Sequence, residues 1–314
     1  MPTPMTPRRG SSSRIRTTTP LQQKVTGEYK AAPLRGNISK PLQSGSNRSL
    51  KYCFDVDEPS VPTTELAQLL DQTDAPIGRS LLLLSEALQQ TTGITSDGLK
   101  NLDELSEDVA SSAAGPPELT DLIDTIFVKN GFSGDVENYH GEDNSFLDRV
   151  LDRRMGMPIT LSAIVATVGE RVGLQLKLIG LPGHVVVGSD DGQGHFTSFI
   201  DAFSGTQLDR SGLAQRLTSI FGREIEITDA MLVPMSTMSV VSRVSNNLMH
   251  TWSHEPAKLD HLLEVRSHIP QPETDRRTLA EIAEARSRFD IAARVRQSIN
   301  PDDPAIKQLW AKLN

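Results

Sequence analysis

The sequence predicts an α+β fold, with a central helix packed on a small antiparallel sheet and further helices at its flanks. Three observations carry this. Apolar residues recur at helical spacing from residue 62 to about 105 and again from 238 to the end. A run rich in Ala, Val and Ile starts on Pro158 and reaches Val172, with Gly173 as its stop. Short apolar runs with glycine-rich punctuation then follow between residues 174 and 200, as strands do.

Residues 1 to about 60 are rich in Ser, Thr, Pro, Arg and Gly and poor in large apolar residues. Such a segment cannot bury enough surface to offset its ordering entropy, so a disordered tail is expected over 1–60. Residues 1–51 hold ten Lys or Arg and one acid, Glu28. The remainder holds 22 basic and 39 acidic residues, a net charge near −17 inside an overall −8. A basic tail therefore precedes an acidic body. The body lacks the basic surface that phosphate neutralisation needs, which leaves weak nucleic-acid contact through 1–51 only. A cleaved organelle-targeting transit peptide is the alternative reading of the Arg- and Ser-rich start. The one cysteine, Cys53, excludes an internal disulfide and a multi-cysteine zinc site. It fits a reducing, cytoplasmic setting. The longest leucine run, residues 81–84, is far short of a membrane span.

In order along the body, Leu66, Leu69 and Leu70, then Leu81, Leu84 and Leu88, repeat at helical spacing. Residues 111–117 read as a small-residue linker. Leu119, Leu122, Ile123, Ile126 and Phe127 form an apolar stripe with Gly131 as its stop, and residues 131–134 read as a turn. Phe146, Leu147, Val150 and Leu151 give a short amphipathic helix. Pro158 opens the central helix, where its missing N–H costs nothing. Strands are expected at 174–179, 185–187 and 196–200, with a hairpin loop at 190–194 and a small helix over 208–221. From Met238 onward the pattern is of helix pairs with proline breaks. The expected organisation is a tail over 1–60, a domain over 61–230 and a helical region over 231–314.

A helix start, a strand carrying His184 and a strand carrying Asp201 follow one another in this order. That is the order of a Cys-His-Asp site, in which a thiol at a helix N-terminus is deprotonated by a histidine that an acid orients. Proline stands where the cysteine should be. The bland alternative is a buried His-Asp pair kept for packing. Thr160 and Ser162, in the first turn of the same helix, are the hydroxyls able to replace the thiol; Cys53 is distant in sequence.

The stretch from Phe127 to Phe203 resembles the SirB-type branch of the transglutaminase-like superfamily. The resemblance is carried by the motifs at 131–134, Asn144-Ser145-Phe146-Leu147, 150–154, Gly156-Met157-Pro158-Ile159-Thr160-Leu161-Ser162, Gly180-Leu181-Pro182-Gly183-His184 and Phe199-Ile200-Asp201-Ala202-Phe203. It implies a papain-like arrangement in which a Gly-x-Cys starts the central helix. Here Gly156-Met157-Pro158 takes that place, so by this register Pro158 replaces the nucleophile, as is usual in the branch. His184 and Asp201 match the remaining pair. Val185 and Ala202 depart from the branch, where Phe and Pro usually follow the histidine and the aspartate. The resemblance also suggests a degenerate tetratricopeptide-like tail after residue 238.

Arg153 and Arg154 precede the Gly-x-Pro turn, and with Asn144 they either fix that turn or face a ligand groove. Thr160 and Ser162 belong to the same candidate binding set. His250, His254, His261 and His268 are spaced to share one helical face, but Pro256 breaks the helix and no acid completes a ligand set, so no metal is expected. No cofactor is expected either. The reading that follows is a non-catalytic module for a protein or peptide partner. The alternative is an acyl-transfer hydrolase that uses a non-cysteine nucleophile with His184 and Asp201.

Overall fold

A computed structural model of the chain describes residues 58–313. Cys53 and the segment read as a tail lie outside these residues, apart from residues 58–60. Three helices open the described part: α1 (Val61–Leu70), α2 (Ile77–Gln89) and α3 (Ile94–Ser112). Leu66 and Leu70 of α1 and the four leucines of α2 at 81–84 are buried, because α2 is covered by its neighbours on several sides. Helix α3 runs on to Ser112, so the small-residue linker starts two residues later than the composition suggested.

The apolar stripe at 119–127 forms α4 (Leu119–Ile123) followed by one π-helical stretch, Asp124–Lys129. Residues 131–134 are not a simple turn. Ser133–Gly134 is a two-residue strand, β1, parallel to β2 (Met155–Gly156). Ser133 and Asp135 donate their N–H groups to Arg154 O and Gly156 O, each at 3.0 Å, and Gly134 donates to Phe203 O, also at 3.0 Å. Gly134 lets the chains approach closely, since a Cβ would lie 2.4 Å from the Phe203 ring and force that ring to shift.

Helix α5 (Leu147–Arg153) leads through β2 into the central helix α6 (Pro158–Arg171). Every residue of α6 from Pro158 to Gly169 is buried. Propensity alone does not favour its β-branched content; burial on all sides does. The sheet is an antiparallel meander of β3 (Leu176–Leu181), β4 (His184–Asp190), β5 (Phe196–Asp201) and β6 (Thr206–Asp209), in that spatial order. Alternation places Leu178, Val185, Val187 and Ile200 in the main core with α6. The opposite face, with Ile179, Val186 and Phe199, packs on Leu213 and Leu217 of α7 (Arg210–Phe221) as a second core. Strand β6 carries no apolar alternation, because it is an exposed edge with only Leu208 half-buried.

Five helices follow: α8 (Thr237–Thr251), α9 (Pro256–His268), α10 (Glu273–Ala285), α11 (Phe289–Ile299) and α12 (Ala305–Ala311). Their apolar faces join the main core, from Val240 to Leu309. The architecture is α+β, as the sequence predicts. Among the described residues no helix is long and apolar enough to cross a membrane.

Candidate functional site

The start of α6 is fixed from below. Pro158 is its first residue, and Met157 is the N-cap. Thr160 accepts the Met157 N–H at 3.3 Å, and its hydroxyl lies 2.8 Å from Asn144 O and 3.2 Å from Met157 O. Thr160 is thus a capping residue with its donor already committed. Pro158, Thr160 and Ser162 are all buried. Ser162 sits one turn below Pro158, and its hydroxyl has no hydrogen-bond partner.

Asn144, Arg153 and Asp135 make one internal network. The Asn144 amide donates to Asn138 O at 2.7 Å, and its oxygen accepts from Arg153 Nη1 at 3.1 Å. Arg153 Nη2 meets Asp135 Oδ2 at 2.9 Å. The Asn138 N–H bonds the Asp135 carboxyl and lowers its pKa; burial opposes this, and Arg153 and Asn144 reinforce it. Arg154 adopts a left-handed backbone (φ 57°) and donates to Asn130 O at 2.9 Å. These residues tie the 135–144 segment to α5 and β2.

His184 opens β4 after the exposed Pro182-Gly183 turn, where Gly183 takes φ 65°. Asp201 closes β5. Their side chains meet, with His184 Nε2 3.2 Å from Asp201 Oδ1. The two are close, but Nε2 makes no well-aimed hydrogen bond among the described residues. Asp201 Oδ1 accepts the Phe203 N–H at 3.1 Å, and Oδ2 lies 2.7 Å from Arg216 Nη2. Burial alone would raise the Asp201 pKa; the His184 contact and the Arg216 charge together hold it below the usual carboxylate value. His184 and Asp201 are both buried.

Four residues of this neighbourhood were not singled out in the sequence. Arg216 comes from α7. Arg243 on α8 donates through Nη2 to His184 O at 3.2 Å and Leu181 O at 3.4 Å. Asn247, one turn on, places its amide 3.0 Å from Met157 Sδ. Tyr139, from the 135–144 segment, sets its ring edge-on to Phe203, with centroids 5.7 Å apart. Burial raises the Tyr139 pKa, against the pull of the Arg243 charge. Arg243, Asn247 and His250 follow at helical spacing, which is the one sequence signal that groups them.

The four C-terminal histidines do not share a helical face. His250 is in the last turn of α8, 5.9 Å from the His140 ring, and His254 falls between helices. His261 contacts Ala87 O at 3.0 Å and His268 contacts Glu264 at 3.0 Å. A cavity of about 530 Å³, floored by Phe146 and Trp252, lies between α2 and α9 and is not lined by His184 or Asp201.

Residues 96–246 match a family model described as the transglutaminase-like superfamily. The match starts in α3 and ends in α8, so it includes α6, His184, Asp201 and Arg243. A UPF0162 protein of Xylella fastidiosa (strain 9a5c) is 27% identical over 225 residues, 67% of this chain and 79% of that one. F-box only protein 21 of Homo sapiens is 26% identical over 129 residues, 40% of this chain and 20% of that one. A crystal structure of menin aligns over 80% of this chain and 68% of its own, at 9% identity and a TM-score of 0.36, a likeness too slight to support any conclusion. The chain therefore carries a transglutaminase-like domain and resembles UPF0162 proteins at modest identity.

Proposed function

We propose that this protein is a non-catalytic transglutaminase-like module that binds a protein or peptide partner. The observation that carries the reading is the closed start of α6. Pro158 offers no nucleophile, the Thr160 hydroxyl is committed to Asn144 O, and Ser162 is fully buried. A thiolate or activated hydroxyl supplies several orders of magnitude in rate, and His184 with Asp201 supplies none without one. In this reading the pair, braced by Arg216, shapes the floor beneath an exposed rim. The rim includes Tyr139 and, beside the Gly183 turn, Ile220 and Phe221.

The finer assignment is to the SirB-type branch. The module spans about 61–230, and the helical region from 231 lends α8 to the site. Helices α9 to α11 have similar lengths and α11 packs on both of its neighbours, which supports a degenerate tetratricopeptide-like tail. The stretch that matches F-box only protein 21 occupies a fifth of that longer chain, a placement that suits a module. The hydrolase alternative needs the first turn of α6 to open so that Thr160 or Ser162 meets both substrate and His184.

The test is turnover by the full chain on glutamine-donor, amide and peptide substrates, with Cys53→Ser as control. No turnover above the uncatalysed rate is expected from either protein. Turnover that disappears in Cys53→Ser, or that survives it and disappears in Thr160→Ala or Ser162→Ala, would overturn the reading.

A further inference from the structure

The groups beside the His184–Asp201 pair are rich in donors and poor in acceptors. Arg243 is half-buried on α8, yet only Nη2 finds acceptors, both of them backbone carbonyls. Its Nε and Nη1 have none among the described residues, and no carboxylate there lies within ion-pair distance. Burial depresses its pKa, and the one neighbouring ionisable group that opposes this is Tyr139. Arg153, Arg288 and Arg294 are similarly half-buried, and each meets a carboxylate at 2.9, 2.7 and 2.8 Å. Arg266 and Arg276 also lack an acid within ion-pair distance, but Arg266 satisfies its three nitrogens on Gln271, Asn246 and Ser242, and of the three only Arg243 bonds His184.

Two more donors stand beside it. The Tyr139 hydroxyl makes no hydrogen bond among the described residues, and its raised pKa keeps it an O–H donor. Asn247 spends its amide on a thioether sulfur, a weak acceptor that a better one displaces. Exposed apolar side chains lie at the turn whose carbonyls Arg243 holds. Tyr139 is 38% exposed, and Ile220 and Phe221 are 45% and 42% exposed. Ile220 and Phe221 flank the Gly183 turn, where a Cβ would lie 3.7 and 3.8 Å from them.

We propose that Arg243, with Tyr139 and Asn247, holds the carboxylate of an acidic side chain in a peptide ligand, flanked by apolar residues that rest on the rim. The inference rests on the binding-module reading and adds the chemistry of the ligand. A carboxylate brings acceptors and negative charge to a place that has donors and positive charge, and a guanidinium is the group best shaped to take it. The apolar rim accounts for the flanking residues.

The experiment is fluorescence anisotropy of the full chain with labelled, C-terminally amidated heptapeptides. Their central residue, set between leucines, is glutamate, glutamine or lysine; a fourth peptide has glutamine at its centre and a free C-terminus. The glutamate peptide is expected to bind about tenfold more tightly than the glutamine one. The preference should fall below about twofold in Arg243→Gln, persist in Arg243→Lys, which keeps the charge, and weaken in Tyr139→Phe. Persistence in Arg243→Lys also guards against a variant that merely misfolds. Equal binding of the glutamate and glutamine peptides, a preference that survives in Arg243→Gln, or tighter binding of the free C-terminus would overturn the proposal while leaving the module reading intact. Absence of binding by every peptide at about 1 mM would count against both.

Discussion

Asn144→Ala separates an internal tie from a ligand contact. The side chain is fully buried and makes two strong contacts, from its amide to Asn138 O at 2.7 Å and to its oxygen from Arg153 Nη1 at 3.1 Å. A neutral hydrogen bond contributes about 0.5–1.5 kcal/mol and one to a charged group about 1.5–3 kcal/mol. Asn138 is exposed, so its carbonyl can turn to water, and Arg153 keeps Asp135. The Thr160 contact survives, because it uses the Asn144 backbone oxygen. The expected loss is therefore about 2–3 kcal/mol. Urea unfolding of the variant should show a lower midpoint with an unchanged slope, and amide exchange should quicken across 135–144. A loss below about 0.5 kcal/mol would refute the tie. If peptide binding fell while stability held, Asn144 would instead be a ligand contact.

Two other perturbations probe the frame around the site. Gly134→Ala puts a Cβ 2.4 Å from Phe203 and should displace that ring from Tyr139, at a cost of about 1–3 kcal/mol in a thermal melt; an unchanged melting temperature would show that the ring yields freely. Glu264, between α9 and α11, has burial pushing its pKa up, but the His268 hydrogen bond and the Arg294 and Arg288 charges bring it from 4.5 to about 2. A depressed pKa makes the carboxylate stabilising above pH 4.5, with the benefit lost as pH falls towards 2; it amounts to on the order of 2–3 kcal/mol. Glu264→Gln should lower stability at neutral pH and flatten acid unfolding across that window, and an unaltered acid profile would disprove the linkage.

Pro158 and Gly173 are legible in the sequence because each suits one backbone role, a helix start and a helix stop. His184 and Asp201 are legible as an ordered pair on successive apolar runs, and they do meet. Arg216, Arg243 and Tyr139 are not, because isolated polar residues from α7, α8 and a segment between helices carry no local signal that they converge. Asn144 and Arg153 are visible as candidates, but whether they face a ligand or one another depends on Asp135 and Asn138, which only the folded chain brings to them. The β1–β2 ladder and β6 escape for a different reason. The first is two residues long, and the second is an exposed edge without apolar alternation.

A non-catalytic module requires that no group at the start of α6 attacks an acyl carbon. The most direct measurement of this is the intact mass and peptide map of the full chain after brief exposure to an activated acyl ester, quenched in acid. The prediction is no acyl adduct on Thr160, Ser162 or any other residue near His184, and no change in labelling in His184→Ala. A stoichiometric ester on Thr160 or Ser162 that disappears in His184→Ala would contradict the account, because it would show a nucleophile and its base working together.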